Sequence, residues 1–216
     1  MLPHEGQPVV EAGAPLGSAP GVVIMVHGRN AAPANILNLA TRLERPALTY
    51  LAPAAAGRTW YPHSFMADID SNEPGISSGI GVLESLVVRV EHAGIPRARI
   101  ALLGFSQGAC LIAEFAIRHP SRFGALGILS GGAIGPPGTT WPDRGTFDST
   151  PAFLGCSDQD AHVPESRVRE TADVFSRMGA DVTLRIYPGM GHLVNDDEIA
   201  FAQRLLDGLD ASRRRG

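Results

Sequence analysis

The feature that most constrains the fold of this chain is the pentapeptide Gly-Phe-Ser-Gln-Gly at residues 104–108, which follows the apolar run 99–103 and precedes a helical segment. A strand-to-helix turn this sharp forces its central residue, Ser106, to positive φ. Strand and helix then pass so close that any side chain at Gly104 or Gly108 would clash. The turn also holds the Ser106 hydroxyl clear of the backbone at a helix N-terminus, where negative charge is favoured. The pattern indicates a nucleophile elbow rather than a glycine-rich turn with an incidental serine.

A serine hydroxyl attacks an acyl carbon at neutral pH only with a base, and the base needs an acid to orient it. In folds with this elbow the acid and then the histidine follow the serine, in loops after later strands. His192 follows the predicted strand 181–187 and so occupies the place of the base. The loop after the predicted strand 150–155 offers two acids, Asp158 and Asp160, and spacing does not rank them.

Further short motifs occur in a fixed order along the chain: Val26-His27-Gly28, Ala52-Pro53, Trp60, Gly94-Ile95-Pro96, the elbow, Asp158-Gln159-Asp160 with Val163-Pro164, and Tyr187 to His192. Together they resemble the phospholipase/carboxylesterase family of α/β-hydrolases, to which the acyl-protein thioesterases belong. The resemblance runs from about residue 22 to residue 209. It implies a serine carboxylesterase that cleaves carboxylic esters through an acyl-enzyme intermediate, with thioesters and lysophospholipids as further candidate substrates.

The resemblance also assigns roles to single residues. The nucleophile falls on Ser106, the base on His192, and the acid on Asp160, the aspartate before x-x-Val-Pro in the matching motif. The oxyanion hole falls on two backbone N–H groups, those of Gln107 and Arg29. Asp158 stays open as the alternative acid.

The loop that carries Arg29 departs from the family at one position, because Asn30 stands where the family usually has glycine. Asparagine tolerates left-handed backbone geometry, so we expect the loop to keep its shape. We expect His27 to be a structural hydrogen-bonding residue. The loop over 58–66 is the expected wall for the acyl or alcohol group, through Trp60, Tyr61, Phe65 and Met66. The alternative is that these side chains only fasten the loop to the body of the protein.

Apolar strand-like runs alternate with helical patterns along the chain, which predicts an α/β-hydrolase fold with a mostly parallel central sheet and helices on both faces. The strands are predicted at 22–26, 47–52, 99–104, 124–130, 151–155 and 182–187, with a weaker edge strand at 7–11. The segment 131–149 is rich in glycine and proline turns, so we expect no cap domain and an open site. No linker or charge block divides the 216 residues, which predicts a single α/β-hydrolase domain over 1–216.

The balance of charges gives no sign of nucleic-acid binding, since the net charge is −4 and the basic run Arg213-Arg214-Arg215 is expected to be a solvated tail. No secretory signal and no membrane span are visible, and two cysteines form no disulfide framework. These features favour a cytoplasmic protein that acts on a small-molecule ester or thioester. We expect no cofactor and no metal, and the sequence gives no indication of the oligomeric state.

Other functions stay open at this point. A metal-dependent hydrolase could use the ligand set Asp158, Asp160, His162 and His192. A hydrolase-fold protein can also bind or sense a ligand with little turnover. A peptidase, an acyltransferase or a dienelactone-type hydrolase would use the same fold for another reaction.

Overall fold

The computed structural model describes residues 2–141 and 145–210, and their strands form one seven-stranded sheet. The strands are β1 (Val9–Gly13), β2 (Val22–Val26), β3 (Thr49–Pro53), β4 (Ile100–Phe105), β5 (Ala125–Leu129), β6 (Pro151–Ser157) and β7 (Asp181–Tyr187). The α-helices are α1 (Pro33–Leu43), α2 (Gly75–His92), α3 (Gln107–Arg118), α4 (Glu165–Arg177) and α5 (Asp196–Leu205).

The strands are ordered β1-β3-β2-β4-β5-β6-β7, and each neighbouring pair from β3 to β7 is parallel. Only the edge strand β1 runs antiparallel, with Val9 opposite Pro53 and Gly13 opposite Thr49. The mostly parallel sheet predicted from the sequence is therefore confirmed, and the edge strand expected over 7–11 begins two residues later.

The sheet separates two hydrophobic cores, as the alternation of side chains along β2 shows. Val22, Ile24 and Val26 pack into the core beneath α2, α3 and α4. Val23 and Met25 pack into the opposite core beneath α1 and α5. A parallel sheet covered by helices on both faces is the arrangement predicted from the sequence.

The described part of the segment between β5 and β6 contains turns and no helix. Its path is fixed by the buried Arg167 of α4, which donates hydrogen bonds to the carbonyl oxygens of Ala133 (2.9 Å) and Gly135 (2.7 Å). Residues that follow β2, β4, β6 and β7 line one cleft beside Ser106.

Of the residues that the structure describes, no helix combines the length and the apolar character that a membrane span requires. The basic run Arg213-Arg214-Arg215 lies outside the described residues.

Candidate active site

The site is built around the turn between β4 and α3, where Ser106 has φ 56° and ψ −123°. A Cβ at Gly104 would lie 2.7 Å from the backbone nitrogen of Ala109, and one at Gly108 would lie 2.2 Å from the carbonyl oxygen of Val26. Both contacts are far below van der Waals distance and involve backbone atoms, so no side chain fits at either position. The local sequence thus folds into this turn because only glycine allows β2, β4 and α3 to approach so closely.

Three side chains from distant parts of the chain meet beside this turn. The Nε2 atom of His192 lies 2.8 Å from the Ser106 Oγ, and its Nδ1 atom lies 2.6 Å from the Asp160 Oδ2. An ionised carboxylate only accepts hydrogen bonds, so Nδ1–H donates to Asp160 and the unprotonated Nε2 accepts from the Ser106 hydroxyl. This is the chain of contacts that a serine nucleophile, its base and an orienting acid require.

The Asp160 carboxylate is buried but well supplied with donors. Its Oδ1 accepts from the backbone N–H groups of His162 (2.8 Å) and Val163 (3.0 Å). The Cys156 thiol lies 3.8 Å from Oδ2, the oxygen that His192 also contacts. Burial by itself raises the pKa of Asp160, but the hydrogen bonds from His192 and the two amides outweigh it, so the pKa is lowered. Asp160 is therefore held as an anion beside the imidazole.

Asp158 has a different position, although it lies only two residues away. Its Oδ1 accepts a 2.8 Å hydrogen bond from the backbone N–H of Gly189, in the turn that follows β7. Asp158 thus fixes the loop that leads to His192, while Asp160 contacts the imidazole itself.

The loop that carries His192 is held from both ends. The backbone N–H of Gly191 donates to the Ser157 Oγ at the end of β6 (3.0 Å). Beyond His192, the Asn195 Oδ1 accepts from the Glu198 N–H (2.8 Å), and the Glu198 Oε2 accepts from the Asn195 N–H (3.0 Å), which starts α5 with a capping box. Glu198 is fully buried, and this burial raises its pKa to about 7.

Arg29 lies in the loop after β2, and Gln107, the first residue of α3, directly follows Ser106. Within the described ranges, neither N–H donates to a protein acceptor, and both residues line the same cleft as Ser106. Asn30 has φ 61° and donates its N–H to the Arg58 carbonyl oxygen (2.8 Å), so the loop after β2 does use the left-handed geometry expected there. Two free N–H groups beside a nucleophile can hold a negatively charged oxygen.

The side chains of the same two residues fasten the facing loop. The Gln107 Oε1 accepts from the Trp60 N–H (2.9 Å), and its Nε2 donates to the Tyr61 carbonyl oxygen (2.8 Å). The Arg29 guanidinium donates to the carbonyl oxygens of Tyr61 (2.9 Å), Pro62 (2.8 Å) and His63 (2.6 Å). These side-chain contacts were not part of the sequence-based expectation, because only the backbone groups of Arg29 and Gln107 had been considered.

The cleft over Ser106 has a volume of about 510 Å³. Of the residues expected to form its wall, Tyr61 and Phe65 line the cleft, although both side chains are buried, whereas Trp60 and Met66 do not line it. Trp60 is fully buried, and its indole N–H donates to the His27 carbonyl oxygen (2.9 Å). Trp60 therefore fastens the loop to the core, which was the alternative reading, and Met66 packs against the same core.

His27 is a buried structural residue. Its Nε2 accepts from the Ala55 N–H (3.2 Å), so its Nδ1 donates to the Gly28 carbonyl oxygen (2.8 Å). Burial lowers the pKa of His27 and keeps the ring neutral. The structural role expected from the sequence agrees with these contacts.

Other residues of the cleft were missed by sequence reasoning. The centre of the Phe105 ring lies 4.9 Å from that of the His192 ring, and the His162 ring packs edge-on against the His192 ring with their centres 4.8 Å apart. Phe105 is part of the elbow motif, and His162 is part of the acid loop, so their nearness to Ser106 and Asp160 was the available signal. Cys110 also borders the cleft, but burial raises its thiol pKa to about 11, which keeps it a thiol rather than a thiolate.

Metal ligation by the loop residues was the alternative chemistry. Over residues 2–141 and 145–210, no group of three or more His, Cys, Asp or Glu side chains is arranged to hold a metal ion. Asp158 and Asp160, two members of that ligand set, instead accept hydrogen bonds from the backbone.

The family model described as Phospholipase/Carboxylesterase matches residues 7–209. The chain belongs to the phospholipase/carboxylesterase family. Membership makes it an esterase or thioesterase, a hydrolase whose substrate is an ester.

Individual relatives fit within the family. Over 168 residues the chain is 32% identical to Acyl-protein thioesterase 1 of Eremothecium gossypii, covering 72% of this chain and 68% of that protein. The Gibberella zeae protein of the same name is 29% identical over 61% of this chain and 59% of its own length. The crystal structure of a phospholipase/carboxylesterase from Dyadobacter fermentans superposes with a TM-score of 0.90 and 34% identity, covering 95% of this chain and 98% of that one.

Proposed function

We propose that this protein is a serine carboxylesterase that hydrolyses carboxylic esters through an acyl-enzyme intermediate. The observation that carries the proposal is the continuous contact from Asp160 through His192 to Ser106, with two free N–H groups alongside. Ester hydrolysis by two acyl transfers is the chemistry for which this set of groups is suited.

In the first transfer, His192 Nε2 takes the Ser106 proton while Oγ attacks the ester carbonyl carbon. The carbonyl oxygen becomes an anion that the N–H groups of Arg29 and Gln107 stabilise, each by roughly 3 kcal/mol in comparable sites. The bond to the leaving oxygen then breaks, and that oxygen takes the proton from His192. Asp160 keeps the imidazole in the tautomer that can receive the serine proton.

In the second transfer, water takes the place of the alcohol. His192 removes a proton from the water, which attacks the acyl carbon, and the Ser106 oxygen leaves with that proton. The carboxylic acid departs and the free enzyme is restored. No cofactor is needed for either step.

A thioester is the second candidate substrate, and the name of the Eremothecium gossypii relative supports it. The same groups serve both bond types, since a thiolate leaves without needing full protonation. Rates with p-nitrophenyl acetate and with an S-alkyl thioacetate, measured on one preparation, would rank the two substrates.

Replacement of the nucleophile tests the proposal. Ser106→Ala is expected to lower kcat for p-nitrophenyl acetate by roughly 10⁵-fold or more, because the covalent route is lost. Ser176→Ala is the matched control: among the described residues its hydroxyl bonds only to the Ala172 carbonyl oxygen within α4, so activity should stay at the parent level. Parent-level turnover by Ser106→Ala would refute a serine mechanism, and a parent protein that binds esters without turning them over would indicate the ligand-binding alternative.

A further inference from the structure

A second cleft, with a volume of about 530 Å³, lies next to the cleft over Ser106. The two share the loop Gly28–Ala31 and the side chains of Phe105 and His192. The two clefts therefore border one another at the loop Gly28–Ala31 and at His192, within reach of a substrate bound at Ser106.

We propose that this second cleft binds the leaving group of the substrate and that it selects an aliphatic alcohol or thiol. The inference rests on the proposed serine mechanism. It assigns a specificity role to Leu193, together with Ile36 and Leu39 of α1.

The order of bond changes decides which part of the substrate lies in which cleft. The acyl carbon becomes bonded to the Ser106 Oγ, and Ser106 and Gln107 line only the first cleft. The leaving oxygen must meet His192 Nε2 to take its proton as the acyl–oxygen bond breaks. The second cleft continues from His192 to Leu193 and Val194 without Ser106. The acyl chain therefore belongs in the first cleft and the alcohol or thiol in the second.

The side chains of the second cleft favour an aliphatic group. Leu193 is 47% exposed directly after His192, so its apolar side chain is accessible to a ligand in this cleft. Leu39 of α1 and the neighbouring Val194 are partly buried and provide further apolar surface, and the buried Ile36 belongs to the same lining.

Two polar members of this cleft already have partners. The Asn35 Oδ1 accepts from the Ala32 N–H (2.8 Å), and the Arg58 Nε donates to the Ala31 carbonyl oxygen (3.4 Å). Both contacts hold the loop before α1, so these two polar side chains are partly engaged within the protein.

The test compares acetate esters that share one acyl group and differ in their alcohol, from methyl to hexyl. The parent enzyme should show kcat/KM rising with alkyl length, since each methylene that leaves water favours binding. Leu193→Asn should lower the hexyl-to-methyl ratio of kcat/KM about fivefold. Leu39→Asn should lower it in the same direction and covers the case in which Leu193→Asn does not fold. Val88→Asn is the matched control, because Val88 is 39% exposed on α2, and it should keep the parent ratio.

A second series fixes the alcohol as methyl and lengthens the acyl chain. Leu193→Asn should keep the parent dependence on acyl length, because that chain lies in the other cleft. A loss of acyl selectivity with alkyl selectivity intact would overturn the inference, as would a parent enzyme indifferent to the alcohol. Either result would leave the proposed function standing if Ser106→Ala is inactive. Turnover that survives Ser106→Ala would refute the proposed function itself.

The reverse transfer gives an independent measurement. With added 1-hexanol, the acetyl-enzyme should partition between water and the alcohol, which gives up its proton to His192 and forms hexyl acetate. Leu193→Asn should reduce the fraction of hexyl acetate about fivefold. An unchanged fraction would overturn the inference.

Discussion

The two walls of the cleft over Ser106 are held in different ways. The elbow wall, residues 104–108, is fixed by contacts between backbones, since a Cβ at Gly108 would lie 2.2 Å from the carbonyl oxygen of Val26. The facing loop, residues 59–66, is fixed by side chains that reach its backbone from outside, chiefly Gln107 and Arg29. Backbone packing therefore restricts the residue types that the elbow can contain. The facing loop restricts its partners less, because many polar side chains can bind a carbonyl oxygen.

The loops that bring the acid and the base to the elbow show the same difference within a few residues. Asp160 binds the imidazole and Asp158 binds a backbone N–H, and both are aspartates in one loop. Only Asp160 contacts the side chain proposed as the base, so replacing each aspartate in turn should distinguish their roles.

Among the residues that hold the loops around the elbow, the largest effect is expected from this pair of aspartates. Asp160→Asn should lower kcat roughly 10⁴-fold, because an amide no longer enforces the imidazole tautomer that accepts the serine proton. Asp158→Asn keeps an oxygen for the Gly189 N–H and should change kcat less than about threefold. Steady-state kinetics with p-nitrophenyl acetate would measure both. If Asp158→Asn has the larger effect, the assignment of the acid is wrong.

These differences explain what could be predicted from the sequence. The parallel sheet and the positions of the strands can be predicted from apolar runs of limited length, and the glycines at 104 and 108 predict the elbow. Asp160 was preferred to Asp158 only through a motif match, since both follow the same strand. From the sequence, Trp60 is a candidate for either the substrate wall or the fastening of its loop, because an aromatic residue in a loop can do both. Its indole N–H in fact binds the His27 carbonyl oxygen, a contact between distant residues that no local pattern reveals.

The second-largest effect concerns Glu198. Its side chain fixes the start of α5, just as the side chain of Gln107 fixes the facing loop. Its pKa in the folded protein is about 7, because burial disfavours the carboxylate, against 4.5 for the ordinary group. The folded state therefore holds more protons than the unfolded state between these values, and stability falls as pH rises through this window. The cost of the Glu198 carboxylate at pH 8 is about 3 kcal/mol by linkage.

Glu198→Gln should remove this dependence, so the variant should gain about 2–3 kcal/mol relative to the parent between pH 5 and pH 8. Urea unfolding at several pH values gives the difference curve. The curve is needed because burial lowers the pKa values of His4 and His27, which makes stability rise with pH below about 6.5. Glu165→Gln, in the first turn of α4, is the matched control. If the difference in the free energy of unfolding between parent and variant stays constant with pH, the raised pKa of Glu198 is contradicted.

The smallest effect tests the facing loop. Gln107→Ala retains the backbone N–H that would bind the oxyanion but removes the acceptor of the buried Trp60 N–H. We expect a loss of about 1–3 kcal/mol in the free energy of unfolding. We expect kcat/KM to fall about tenfold, because a displaced wall positions the substrate less well.

Arg29→Ala makes the comparison sharper, because its guanidinium contacts the same loop from a more exposed position. Exposed bonds exchange readily for bonds to water, so the loss in stability should be smaller than for Gln107→Ala. Gln203→Ala, which removes a bond to the Arg42 carbonyl oxygen on the opposite face of the sheet, is the control for loss of a glutamine amide. If Gln107→Ala and Gln203→Ala have equal effects on kcat/KM, the loop keeps its place without Gln107. The shape of the facing loop, rather than its attachment to the elbow, would then position the substrate.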